Sequence, residues 1–345
     1  MDNIFNYTLN ELEDKLVSLG LKKFIASQIY DWIYKKYIKS FEVMSNLSSA
    51  TIKTLNENFV FGNLKIAKIN KSDKDDTIKF LYELSDKNII EMAVIEFEFG
   101  YSGCVSTQIG CNMGCKFCAS GLNKKKRNLE TFEIVQELLI ANEYLEKNNL
   151  KKMGSTSFMG IGEPMDNFDN LVHAVKIIHE PKGINLGWRN FTFSTCGVAN
   201  KIVTLAQTLP QCNLAISLHA PNDTIRNQIM PINQAFNIKT LIAAAVKYTQ
   251  IVNHDITFQY TMIKDVNDSE LNALELAKLL QNINCHVILI EYNPVKEFSF
   301  KTSKNINKFK TILEKNRISV SLRKNKGRNI DAACGTMRSS YEAKK

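Results

Sequence analysis

A chain of 345 residues, 44% hydrophobic and 23% charged, is long enough for one large domain with a smaller attachment and can bury a sizeable core. The excess of 44 Lys and Arg over 35 Asp and Glu, a formal charge of +9, favours an anionic partner such as nucleic acid or a phosphorylated ligand. No run of about 18 apolar residues is present and residues 1–10 are polar, so we expect neither a membrane span nor a secretory leader.

A cytoplasmic protein is the expectation. There its eight cysteines stay reduced, and clustered ones bind metal or do chemistry rather than form staples.

Residues 8–60 read as helical. Thr8 or Asn10 can cap a helix over 12–19, and residues 22–36 place Phe24, Ile25, Ile29, Trp32 and Ile33 on one stripe. A third helix follows around 49–58, giving an N-terminal helical accessory domain over 1–62. An aromatic stripe at this period is core, which leaves Lys22, Lys23, Lys35 and Lys36 as candidates for any RNA contact.

From 63 to 96 the period changes. Short β-like runs over 66–70, 77–84 and 89–97, separated by Asp- and Lys-rich turns, predict a small antiparallel extension.

Beyond residue 97 strand-like and helix-like segments alternate. The strands are expected over 104–109, 155–159, 190–195, 213–218, 255–262 and 285–291, with another at 318–323. Helical patterns occupy 129–146, 167–178, 199–208, 238–249, 269–280 and 304–315 between them. That alternation argues for parallel βα units, closed as an open doubly wound sheet or a partial barrel. The unusual residues at 111, 160–164, 194–197, 219–222 and 293–294 all fall at or just past strand C-terminal ends. Barrels of this type build their sites there, and no dinucleotide fingerprint or phosphate loop opens the first unit. The expected fold is α/β, a partial (βα)6 barrel of the TIM type over 97–330 with a C-terminal segment 331–345.

The chemistry centres on residues 110–121, which set Cys111, Cys115 and Cys118 in a C-x3-C-x2-C spacing. Three thiolates this close can converge on one metal centre. Structural zinc is closed by four ligands, for which Cys104 or His173 is the candidate fourth; a four-iron cluster held by three cysteines leaves one iron open. One unit later comes Gly160-Ile161-Gly162-Glu163-Pro164, whose glycines expose backbone groups and whose carboxylate can accept from an ammonium group.

The cysteine triad with Phe117 beside its last member, followed by this glycine–glutamate turn, resembles the radical S-adenosylmethionine superfamily. Within it, Cys104-Val-Ser-Thr-Gln-Ile-Gly-Cys111, Phe193-Ser194-Thr195-Cys196-Gly197, Ser217-Leu218-His219-Ala220-Pro221-Asn222, Met230-Pro231-Ile232-Asn233, Tyr292-Asn293-Pro294 and Asp331-Ala332-Ala333-Cys334-Gly335 resemble the RlmN/Cfr family of RNA methyltransferases.

The resemblance implies one [4Fe–4S] cluster on Cys111, Cys115 and Cys118, with S-adenosylmethionine chelating the open iron. Gly162, Glu163, Ser194, Ser217, Leu218, His219 and Asn293 would hold that molecule. It implies methylation of an adenine at C2 in 23S rRNA and in tRNA, using two S-adenosylmethionine molecules per turnover. Cys334 would carry the methyl as S-methylcysteine, Glu91 would accept the proton, and Cys104 would resolve the protein–RNA adduct through a transient disulfide with Cys334. An electron donor such as flavodoxin or ferredoxin and a monomeric state are implied as well.

Cys196, Cys212 and Cys285 match no required position and read as structural. Lys124, Lys125, Lys126 and Arg127, and Arg323, Lys324, Lys326 and Arg328, border the site and are candidates to grip RNA phosphates. The chain departs from the common pattern at Ser106-Thr107-Gln108, in lacking a proline over 96–100, and at Thr336-Met337-Arg338. Two alternatives stand: Cfr-type methylation at C8, against which Gly162-Glu163-Pro164 argues, and a zinc-stabilised RNA-binding module without catalysis.

Overall fold

The computed structural model describes residues 1–323 together with 326, 327 and 330; Lys324, Arg328 and Cys334 lie outside the described residues. The N-terminal segment forms helices Leu9–Ser18, Ile25–Tyr34 and Ser49–Asn58. The first opens with a capping box, in which the Thr8 hydroxyl accepts from Glu11 N and the Glu11 carboxylate accepts from Thr8 N at 2.8 Å. The second buries Ile25, Ala26, Ile29, Tyr30, Ile33 and Tyr34 at helical spacing; of the expected stripe Ile25, Ile29 and Ile33 are core, whereas Trp32 is partly buried and Phe24 is exposed.

Three of the four lysines flanking this helix are engaged within the chain. Lys23 pairs with Glu13 at 3.0 Å, Lys35 with Asp31 at 3.1 Å, and Lys36 lies 3.5 Å over the Trp32 ring.

One ten-stranded sheet organises the rest. In spatial order it runs Ser319–Arg323, Cys285–Glu291, Ile256–Met262, Asn213–Ser217, Phe191–Thr195, Ser155–Phe158, Gly100–Cys104, Ile89–Phe97, Ile78–Glu83 and Lys65–Lys71. Every pairing from Ser319–Arg323 through Gly100–Cys104 is parallel, and the last three strands add on antiparallel. The sheet is the partial barrel, and the β extension is hydrogen-bonded into it rather than set apart.

Helices Thr131–Lys147, Phe168–His179, Ala199–Thr208, Ile238–Val252, Glu270–Leu280 and Ile306–Lys315 connect the parallel strands, as the alternation predicted. Between sheet and helices lies the core, with Phe158, Phe191 and Phe193 all fully buried and in ring contact. Burial of each such ring contributes roughly 1.5–3 kcal/mol.

Two local assignments differ from expectation. The first barrel strand is Gly100–Cys104, not 104–109. Past Cys104 the chain leaves the sheet, and Gln108–Ile109 pairs instead with Arg127–Asn128. That small antiparallel clamp closes the base of the loop carrying the cysteine triad. The second difference is a short helix, Asp223–Ile229, absent from the sequence reading because seven residues are too few for a periodic signal.

Candidate active site

The clamp shapes the loop. Cys111 N donates to Asn123 O at 3.0 Å and Lys126 N to Ile109 O at 2.7 Å, so 110–126 is a hairpin-like excursion with its ends held together. Gly110 lies at the turn with φ +80°, and a Cβ there would sit 2.3 Å from Lys124 O. On the far side, Lys116 N donates to Ile229 O at 2.9 Å, which fastens the loop to the short helix.

Below the loop is a cavity of about 320 Å³. Cys111, Cys115 and Cys118 line it, together with Gly162, Glu163, Ser194, Ser217, His219 and Asn293. Nine residues scattered over five segments of the sequence thus line one cavity.

Three others are not among the residues lining that cavity. Leu218 is fully buried, its N–H spent on Gln259 O at 3.1 Å, and it does not line the cavity. Cys104 ends its strand buried, paired with Ala93 and Ser157; Ile95 and Met159, two positions along from those partners, do line the cavity. Glu91 lies on an internal strand, 3% exposed, with its carboxylate 3.1 Å from the equally buried Lys79 ammonium.

The glycine–glutamate turn is held rigidly. Gly162 has φ +113°, and a Cβ would sit 2.6 Å from Gln108 Cβ, so a side chain is barred by both conformation and space. Glu163 N donates to Gln108 Oε1 at 2.9 Å, and the buried carboxylate accepts from Met165 N at 3.0 Å and Cys196 N at 2.8 Å. Burial pushes the Glu163 carboxyl up, opposed by these hydrogen bonds. Cys196, read from sequence as structural, therefore belongs to the cavity wall and fixes Glu163 through its backbone.

His219 is left-handed, with φ +56°, and accepts at Nδ1 from Thr261 N at 2.9 Å. That bond leaves the proton on Nε2. The ring meets Phe117 edge-on at 4.9 Å, which ties the cluster loop to the opposite wall. Burial, with Arg226 nearby, lowers its pKa from 6.5 to about 3. A histidine whose folded pKa lies below its unfolded value binds fewer protons in the fold, so stability is full above the unfolded pKa and falls as pH drops toward 3. Between pH 7 and pH 5 the apoprotein is expected to lose about 2 kcal/mol from this group alone. Urea unfolding of His219→Gln should lack that increment.

The three thiols share the wall without converging; among the described residues no three His, Cys, Asp or Glu side chains form a ready-made metal site. Their chemistry nevertheless fits an iron–sulfur cluster. Burial pushes the Cys111 thiol up to about 12 and the Cys115 thiol higher still, so thiolates form here only against a cation such as iron. Ser120 Oγ, buried in the same wall, has no hydrogen-bond partner among the described residues, an orphan that a bound group would satisfy. Of the two candidate fourth zinc ligands, His173 bonds Glu11 at 2.9 Å in the N-terminal segment and Cys104 is not among the residues lining the cavity.

Of the basic clusters, Arg127 is spent internally on Glu133 at 2.7 and 2.8 Å and on Asp86 at 2.8 Å, so it is no free phosphate ligand. Lys126 bonds Asn88 at 2.7 Å. Arg323 and Lys326 line the cavity.

Residues 105–277 match the radical SAM superfamily model, and residues 2–61 match the ribosomal RNA large subunit methyltransferase N-terminal domain. A radical SAM methyltransferase from Sphaerobacter thermophilus superposes with a TM-score of 0.93 at 35% identity, covering 97% of this chain and 99% of that one. Fold and site thus define a radical SAM enzyme.

Proteins described as probable dual-specificity RNA methyltransferase RlmN are similar along nearly the whole length. The one from Malacoplasma penetrans is 46% identical over 98% of this chain and 96% of its own. That from Spiroplasma citri is 48% identical over 99% of each. The chain belongs to the RlmN family of radical SAM RNA methyltransferases. One [4Fe–4S] cluster and S-adenosylmethionine come with that superfamily, and RNA is the substrate class. No helix among the described residues is long and apolar enough to cross a membrane.

Proposed function

We propose that this enzyme methylates C2 of an adenine in 23S rRNA and in tRNA. The observation that carries the reading is the single cavity shared by the cysteine loop and the Gly162–Glu163 turn, with Cys104 on the strand flanking it. C2 of adenine is electron-poor and has no nucleophilic character, so polar methyl transfer does not reach it. A cluster and S-adenosylmethionine supply radical chemistry when bound; the chain's residues position the groups and move the protons.

Cys111, Cys115 and Cys118 hold the cluster. The Glu163 carboxylate and the open backbone at Gly162 suit the methionyl ammonium, while Ser194, Ser217, His219 and Asn293 suit the ribose and adenine groups. Cys334 would carry the methyl group as S-methylcysteine, and two S-adenosylmethionine molecules would be used per turnover, one as methyl source and one for the radical chemistry. Cys104 takes part in releasing product, forming a transient disulfide with Cys334. Glu91 accepts the proton that the base gives up. A flavodoxin- or ferredoxin-type donor supplies electrons, and the enzyme works as a cytoplasmic monomer.

The test is incubation of the reconstituted enzyme with an RNA fragment, followed by nucleoside mass spectrometry against both methyladenosine standards. We expect 2-methyladenosine. Formation of 8-methyladenosine instead would assign the Cfr-type regiochemistry and overturn the reading.

A further inference from the structure

Arg226 is fully buried, and its donors reach only neutral acceptors. Nε donates to Leu218 O at 3.1 Å, Nη1 to Asn233 Oδ1 at 2.9 Å and Phe236 O at 3.4 Å, and Nη2 to Cys196 O at 2.6 Å and Ser217 O at 3.4 Å. No carboxylate pairs with it directly among the described residues. Asp223 is one side chain removed, accepting from Asn233 Nδ2 at 2.9 Å. A desolvated guanidinium is ordinarily paired with an anion, because burying an isolated charge is costly.

The position supplies the missing partner. Arg226 sits on helix Asp223–Ile229, whose last carbonyl accepts from Lys116 N between two of the triad cysteines. Ile229 and Met230 pack with Cys115, Phe117 and Cys196 in one small apolar cluster. Arg226 Nη2 donates to Cys196 O at 2.6 Å, and Cys196 lines the cavity together with the three triad cysteines. Three thiolates on a four-iron core leave a net negative charge, which grows by one when the core takes up an electron. Charge near a cluster is one of the factors that set its potential.

We propose that Arg226 is the counter-charge of the cluster site, a positioning residue whose buried guanidinium makes the cluster on Cys111, Cys115 and Cys118 easier to reduce. This rests on the reading that those cysteines hold the cluster. The electron comes from the external donor, no bond forms or breaks, and Arg226 stays protonated throughout.

The experiment is a redox titration of the anaerobically reconstituted full chain, without S-adenosylmethionine or RNA, read by the paramagnetic signal of the reduced cluster. At a fixed poise, Arg226→Gln should lower the ratio of reduced to oxidised cluster about tenfold, 59 mV for a one-electron couple. Arg226→Lys, which keeps the charge, should stay near the parent. Asp223→Asn keeps the acceptor oxygen but removes the negative charge behind Arg226, and should shift the midpoint the opposite way.

An unchanged midpoint in Arg226→Gln, or shifts of one sign in Arg226→Gln and Asp223→Asn, overturns the proposal. Should Arg226→Gln fail to fold, an unchanged or lowered midpoint in Asp223→Asn overturns it alone. A parent chain that assembles no iron would instead refute the cluster reading on which the proposal rests.

Discussion

Cys334→Ala is expected to assemble its cluster normally and to produce no methylated RNA. In the proposed mechanism the methyl group is carried on the Cys334 thiol before it meets an unreactive ring carbon, and alanine offers no attachment point. Iron content, the cluster spectrum and S-adenosylmethionine binding should match the parent, because Cys111, Cys115 and Cys118 are untouched. Cys104→Ala should behave differently. In the proposed mechanism its sulfur acts after the carbon–carbon bond has formed, so its loss should leave a covalent protein–RNA adduct visible on a denaturing gel. Cys104 is a small buried side chain, 8% exposed, and its truncation should cost only about 1 kcal/mol of stability. Retained turnover in Cys334→Ala would remove the proposed methyl carrier.

A second large effect is expected at the Lys79–Glu91 pair, where an ammonium and a carboxylate meet at 3.1 Å with 2% and 3% exposure. Removing one member of such a pair typically costs about 3–5 kcal/mol, whereas replacing both with apolar residues of similar size is often neutral. Chemical denaturation should therefore find Lys79→Met strongly destabilised and Lys79→Met with Glu91→Leu largely restored. Activity should not follow stability. The restored double variant is expected to stay inactive, because the proposed proton acceptor is gone. A double variant that turns over at the parent rate would relieve Glu91 of that role while leaving the ion-pair energetics intact.

The fold was readable from sequence where periodicity was strong. Strand Cys285–Glu291 and helix Ala199–Thr208 fall at the expected residues, since apolar runs bounded by turn residues leave little choice. The first barrel strand was misplaced because residues 105–109 are as strand-like as 100–104. Only tertiary pairing with Arg127–Asn128 tells them apart.

For the site, the cysteine spacing and the Gly-Glu-Pro turn carried the chemistry openly. Lys79 and Arg226 did not, because a basic residue in a strand or short helix reads as solvated until the fold buries it. Leu218 is a motif member whose side chain packs into the core behind the cavity. Cys196 was passed over because its contribution is a backbone N–H, which no residue type announces.

The most direct measurement is anaerobic reconstitution with iron and sulfide, followed by metal analysis and addition of reductant with S-adenosylmethionine. An open four-iron site predicts about four irons per chain and cleavage of S-adenosylmethionine to 5′-deoxyadenosine, both lost in Cys118→Ala. A colourless protein holding tightly bound zinc, with S-adenosylmethionine left intact, would contradict the account.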